Sequence, residues 1–372
     1  MRARMLFVVA VSGLALLVAP PAQAASPNCT VAGGTLVQFP TGSPVWEFCV
    51  LTPIQSSGND GSGIEIREAF YNGHKVMKRG HIPVLNVKYA PGGCGCFRDW
   101  FDSEIKFEVR DQNGNIVNNS QSGQIFDNAS SVRTVCDSGG SGGDIPPSTG
   151  FKGVAIERLP DRMILTSQTS AGWYRYEAKW TFFTDGHVLP QTGYAATSSS
   201  CVNSSHHHNS YWRLDMDIDD SGNDAVGTPG GTIQPDECPA NCPGTRRPAE
   251  PVGLVPLKVF DKTSSRGYHV NPHWVANSTY DPFGTFTIGD AWLLQYKTGS
   301  GPVASEIDDG NGLGGCPIGS TFLSWSNNES LDAQDVVVWY REGALHGSGQ
   351  IDACARTGPV LEPFGDWSPG AP

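Results

Sequence analysis

Short alternating runs that end in Asn-Gly or Asp-Gly constrain this chain more than any other feature. Gly63-Ile-Glu-Ile-Arg-Glu-Ala-Phe-Tyr71 runs straight into Asn72-Gly73. Both residues of that pair tolerate positive φ, which is what a two-residue hairpin turn demands. The run 104–110 precedes Asn113-Gly114, and 174–183 precedes Asp185-Gly186. Residues 84–89, 192–197, 211–218 and 335–340 read as further strands, the last an apolar Val-Val-Val-Trp-Tyr run with the look of a buried strand. Long helical periodicity is nearly absent. With 45 Gly and 27 Pro to punctuate them, such strands are joined by turns rather than helical crossovers. The expectation is an all-β protein, a large antiparallel β-sandwich. Gly/Ser/Pro-rich stretches at 137–150 and 221–252 read as loops, the second long enough to be an arm.

The first 24 residues are set apart. Arg2 and Arg4 precede an apolar run over 6–18 and a small-residue site, Ala22-Gln23-Ala24, the layout of an export signal. That run is too short to span a bilayer, and no later stretch is long enough. The reading is a secreted protein with no membrane span, whose β domain occupies 25–372. All ten cysteines follow the signal, so disulfides are expected, with the pairing left open. Cys238-Pro-Ala-Asn-Cys242 has metal-finger spacing but no second pair close behind it, and reads as a local disulfide or turn. A net charge of −12 argues against nucleic acid and favours small cationic partners.

Chemistry concentrates in His206-His207-His208-Asn-Ser-Tyr-Trp-Arg213-Leu-Asp215-Met-Asp217. On a strand, His206 and His208 share one face and His207 takes the other. Two imidazoles spaced this way suit a divalent transition metal such as copper, and a surface His-rich loop is the competing reading. A third ligand must come from His74, His81, His187, His269, His273 or His346. His346 is attractive because it follows the 335–340 strand and Gly343. Asp215 and Asp217 share a face, with the Met216 carbonyl between them. These are hard oxygen donors suited to calcium or manganese, or else a solvated strand face.

Here the residues resemble the copper amine oxidases. The stretch from His206 to Asp217 is similar to that family's His-X-His…Arg-Leu-Asp strand. Asn328-Glu-Ser-Leu-Asp-Ala-Gln-Asp335-Val-Val-Val-Trp339-Tyr-Arg-Glu-Gly343-Ala-Leu-His346 looks like the segment bearing its third histidine. The resemblance, over about 45–365, implies copper(II) on His206, His208 and His346. It implies a second, calcium or manganese, site at Asp215, Asp217 and Asp335, with main-chain oxygens of Met216 and Val336. Gly172-Trp173-Tyr174-Arg175-Tyr176 with Trp180 and Gly186 matches the frame of the family's quinone precursor, placing topaquinone at Tyr174. Trp173 and Arg175 stand where the family usually has Asn and an acidic residue. The Asn helps orient the quinone, and an adjacent Arg repels a cationic substrate. For the catalytic base two alignments stand. One puts it at Asp102 in Phe101-Asp102-Ser-Glu104, with Tyr89 as the quinone's hydrogen-bonding partner. The other sets Gly93-Cys94-Gly-Cys96 against a Cys-X-Cys beyond the base, which deletes the base segment.

The resemblance therefore implies an oxidase converting small cationic primary amines and dioxygen to aldehyde, ammonia and hydrogen peroxide. Because family members pair through long hairpin arms, a homodimer is compatible with the 221–252 excursion. Two other readings remain: an exported copper-binding homologue that has lost amine oxidation, and a metal-free disulfide-rich sandwich used for recognition.

Overall fold

The computed structural model describes residues 26–57, 61–89, 94–99, 101–137, 148–197, 200–231, 233–237, 256–272, 291–296, 328–347 and 354–371. Residues 1–24, expected to be an export signal, Cys238, Cys242, His273, most of the 137–150 loop and half of the 221–252 loop lie outside them. The chain is all-β. Among the described residues one sheet has eight strands and another eleven. Among the described residues the named strands pair antiparallel except Ile125–Ala129 with Val154–Arg158. No helix of the described residues is long and apolar enough to cross a membrane.

The turn chemistry acts as its residues require. Asn72 and Gly73 take φ of 51° and 82° and join Glu65–Tyr71 to His74–Tyr89, the double positive φ of a hairpin turn. Arg162–Ala171 and Tyr174–Phe183 pair through a two-residue turn, Gly172-Trp173, with Gly172 at φ 53°. That hairpin sets Trp173 at a tip. In the eight-stranded sheet His206–Met216 lies between His74–Tyr89 and Val336–His346. The last strand is longer than its apolar run suggested.

One irregularity decides which side chains reach the interior. Tyr211 pairs with Val84 but Arg213 with His81, so Ile82 and Pro83 together oppose Trp212. Pro83 brings no N–H, and a bulge is where a strand tolerates that. The extra residue reverses the strand's alternation beyond it. Leu85 then packs into the core between the sheets, while Val84 joins a separate cluster with Tyr211, Trp292 and Trp339. Val87 and Tyr89, in register with His208 and His206, follow Leu85 inward. The added strand Cys96–Asp99 pairs Phe97 with Val87 and Asp99 with Leu85, so those two side chains share that face.

Aromatic contacts close the gap between the sheets. Trp180 meets Trp212 edge-on at 5.6 Å, and Phe182 stacks on Phe48 at 4.2 Å. Trp46 Nε1 donates to the Phe183 carbonyl at 2.7 Å. Each such aromatic pair adds about 0.5–1.5 kcal/mol to the burial itself. Three disulfides are seen among the described residues: Cys29–Cys49, Cys94–Cys201 and Cys136–Cys354. Cys94–Cys201 ties the segment after Tyr89 to the turn just before His206.

Candidate metal centre and its adjoining cavity

The sheet register brings the three histidines together. His206 lies directly opposite His346, and His208 opposite Ala344. One ring nitrogen from each imidazole lies within 4.8 Å of the others, and all three residues are buried. The facing sheet supplies Tyr174, whose hydroxyl contacts His206 Nε2 and lies 2.8 Å from His346 Nδ1.

Neighbouring groups select the tautomers. His206 Nδ1 is 2.6 Å from the Ser204 carbonyl, so it carries the proton and Nε2 keeps its lone pair. The Tyr176 hydroxyl donates to Asp99 Oδ2 and accepts from His208 Nδ1 at 3.3 Å. That leaves His208 Nε2 as a lone pair, buried and without a hydrogen-bond partner. Tyr194 stacks on His208 at 3.8 Å, and Tyr89 on His206 at 4.4 Å, fixing the rings. Burial pushes His206 down to about 4, with smaller opposing and aiding effects from the Ser204 carbonyl and from His346 and His207. Burial also drives His208 well below the usual range. Neutral, oriented imidazoles with an orphaned nitrogen fit a divalent first-row ion such as copper, with outer hydrogen bonds of the kind that orient metal ligands.

Beside this cluster lies a cavity of about 220 Å³. Tyr89, Phe97, Asp99, Trp173 and Tyr174 line it, and Val87, Ala171 and Gly172 complete its wall. Trp173 Nε1 donates to the Tyr89 hydroxyl at 3.2 Å. Phe97 meets Trp173 edge-on at 5.5 Å and Tyr89 at 6.0 Å. Burial raises Asp99 to about 6, partly offset by the hydrogen bond from Tyr176. Tyr174 is also driven up, first by burial. Tyr89 is raised to about 12, chiefly by burial.

The structure thus gathers Tyr174, Tyr89 and the three histidines. Asp102 lies elsewhere: it is half-buried, accepts from Ser103 Oγ at 3.2 Å, and packs against Gly61. It is not among the described residues lining the cavity. Asp99, which sequence reasoning missed, is the carboxyl there. The usable signal was its alternation with Phe97, hidden because Cys96–Asp99 is too short to announce itself as a strand. Tyr176 was noted only as part of a motif frame, and the structure ties it to both Asp99 and His208.

At the opposite end of the same strand, Asp215, Asp217 and Asp335 bring carboxylate oxygens within 4.8 Å of one another. Lys75 Nζ lies 2.7 Å from Asp217 Oδ2 and Lys78 Nζ 3.5 Å from Asp335 Oδ2. Burial and the Asp215 charge raise both Asp217 and Asp335, while the lysines oppose the rise.

No family model matches the chain, and no curated protein does. Solved structures do. A copper-containing benzylamine oxidase from Hansenula polymorpha superposes with a TM-score of 0.54 at 12% identity, over 91% of this chain and 62% of that one. A Pichia pastoris lysyl oxidase gives 0.50 at 14%, over 86% and 51%. An Aspergillus nidulans amine oxidase gives 0.50 at 15%, over 86% and 50%. The chain spans about half to three-fifths of the length of these proteins. At such identities the likeness is one of fold: this chain has the β-sandwich architecture seen in these amine oxidases.

Proposed function

We propose that the chain is a secreted, copper- and quinone-dependent oxidase of primary amines, catalysing RCH2NH2 + O2 + H2O → RCHO + NH3 + H2O2. The observation that carries this reading is the position of Tyr174. Its hydroxyl touches two of three converging imidazoles while its ring walls a cavity holding one carboxyl. His206, His208 and His346 would hold copper. Copper together with topaquinone formed from Tyr174 would supply the electron sink and the route to dioxygen.

The chain's own residues do the rest. Asp99 takes the substrate's α-proton and later releases it. A carboxyl titrating near 6 can serve in both states near neutral pH, and its place in the cavity is why this role is given to it rather than to Asp102. Tyr176 holds Asp99 in place and links it to His208. Tyr89, braced by Trp173, would hydrogen-bond the group made from Tyr174. The aromatic walls keep water sparse around the reacting atoms. Asp215, Asp217 and Asp335, with the Met216 and Val336 carbonyls, would hold calcium or manganese, with Lys75 and Lys78 as competing cations. The disulfides accord with export to an oxidising compartment, and pairing through the 221–252 arm would give a homodimer.

A second reading, a copper-binding protein without amine oxidation, is favoured by Trp173 and Arg175 flanking Tyr174. One experiment separates the two: copper is loaded anaerobically, oxygen is admitted, and visible absorbance is followed. The oxidase reading expects a coloured product that Tyr174→Phe abolishes while copper stays bound. Copper bound with no colour supports the second reading, and colour persisting in Tyr174→Phe rejects the assignment of that tyrosine.

A further inference from the structure

We infer that the cavity selects aromatic monoamines over diamines and lysine-like amines, with Trp173 as the specificity-determining residue; the inference rests on the amine oxidase reading above. Three observations lead there. The first is size. At about 220 Å³ the cavity is smaller than the roughly 300–1,000 Å³ of pockets that enclose drug-sized ligands, so it suits a single ring on a short chain.

The second is wall chemistry. Phe97 stands edge-on to Trp173 at 5.5 Å and to Tyr89 at 6.0 Å, and the Trp173–Tyr89 hydrogen bond closes the third side of this aromatic box. A flat substrate ring finds edge and face partners there. Phe97 is 37% exposed, an apolar side chain held at the mouth. The Gly172-Trp173 turn presents Trp173 to the cavity, where its indole N–H is tied to the Tyr89 hydroxyl.

The third is charge. Asp99 is the one carboxylate among the described lining residues, and one carboxylate serves one ammonium. A diamine would carry a second ammonium into the box with no second carboxylate among the described lining residues to meet it. Cation–π attraction to the rings offers some return, but the desolvated charge is the larger cost. Arg175 adds to that cost. Its guanidinium donates to the carbonyls of Tyr174 at 2.9 Å and of wall residue Gly172 at 3.3 Å, placing a fixed positive charge beside the rim.

The test uses the mature, copper-loaded protein with 2-phenylethylamine, 1,4-diaminobutane and an Nα-blocked lysine amide. Peroxide release gives kcat/KM for each amine, and calorimetry on the metal-free protein gives binding without turnover. The expected result is a preference of about 100-fold for 2-phenylethylamine over the other two. Trp173→Asn should lower that preference about tenfold, and Trp173→Phe should keep most of it. A quinone-containing enzyme that favours 1,4-diaminobutane overturns this inference and leaves the oxidase reading intact. If no quinone forms, the oxidase reading fails, and calorimetry still decides the pocket: equal or tighter binding of the diamine refutes the selection, and preferential 2-phenylethylamine binding upholds it. Trp173→Asn with its 2-phenylethylamine binding unaltered removes Trp173 from the role.

Discussion

One pair of strands, His206–Met216 and Val336–His346, carries a candidate ligand triad at or just beyond each end, and the two ends are built on opposite principles. At one end three imidazoles face the space between the sheets, two of them, His206 and His208, stacked against tyrosines. At the other end three carboxylates gather beside the ammonium groups of Lys75 and Lys78. Alternation explains why they look different ways. His206 and His208 occupy even positions and point inward, whereas Asp215 and Asp217 occupy odd positions and point to the other face. Nitrogen donors in a dry site suit a borderline transition ion, and oxygen donors a hard cation. Two sites of different metal preference can therefore share a strand without sharing a ligand.

The comparison breaks most visibly at His346. Replacing it with Ala leaves two imidazoles and removes the ligand that the register delivers from the neighbouring strand. Copper affinity should fall by well over the roughly 10–100-fold that loss of an outer hydrogen-bond partner costs. Metal analysis after dialysis checks this. A full equivalent of copper retained by His346→Ala would remove the imidazole end from the comparison altogether.

Asp99→Asn probes the cavity beside that end. Amine oxidation should drop about 10²–10⁴-fold, the usual worth of a positioned base, with copper content unchanged. In the unsubstituted protein kcat/KM should rise with pH through about 6, because the base works when ionised and burial holds Asp99 near that value. A loss of that limb in Asp99→Asn ties it to this carboxyl. If Asp102→Asn instead erases the limb and Asp99→Asn spares it, the base belongs at Asp102.

The two ends were not equally legible in sequence. His206, His208 and His346 stand in motifs whose order and spacing can be read directly, and the antiparallel register places 346 opposite 206. The sandwich was legible because Asn72-Gly73 and Asp185-Gly186 mark hairpins between alternating runs. The cavity was not. Its carboxyl lies on a four-residue strand with no periodicity to detect, and its walls owe their facing to a bulge at Ile82-Pro83. A bulge inverts every later side chain in its strand, yet its only local trace is one proline. Strands 162–171 and 154–158 also passed unnoticed, since mixed Thr/Ser/Gln and short apolar stretches mimic loops. Buried Thr166, Ser167 and Thr169 show why: tertiary burial overrode their local polarity.

Opposite pH responses should sharpen the contrast further. In metal-free protein burial holds His206 near 4 and also drives His208 well below the usual range, while an unfolded imidazole titrates near 6.5. Between those values the unfolded chain binds the extra proton, so stability is present above 6.5 and lost as pH falls toward 4. The shift at His206 corresponds to about 3 kcal/mol. Urea midpoints at pH 7 and pH 5 capture about 2 kcal/mol of it. His206→Gln should flatten the slope, and an unchanged slope in that variant would assign the acid sensitivity elsewhere.

The smallest effect lies at the carboxylate end and has the reverse sign. Burial and mutual repulsion raise Asp217 and Asp335 above the ordinary 3.8. The folded state keeps protons that the unfolded state has released, so here stability falls as pH rises above about 3.8. Lys75 and Lys78 reduce this penalty by neutralising part of the charge. A hard divalent cation would do so more completely, because one ion contacts all three carboxylates. Calcium should therefore raise Tm by a few degrees at pH 7 and by less at pH 5, about 1 kcal/mol in all. Lys75→Met should enlarge the response by removing the competing ammonium 2.7 Å from Asp217. A calcium response that is absent in both proteins would mean that lysines alone satisfy this end. The strand would then carry a single metal site, and the symmetry between its two ends would be one of geometry without chemistry.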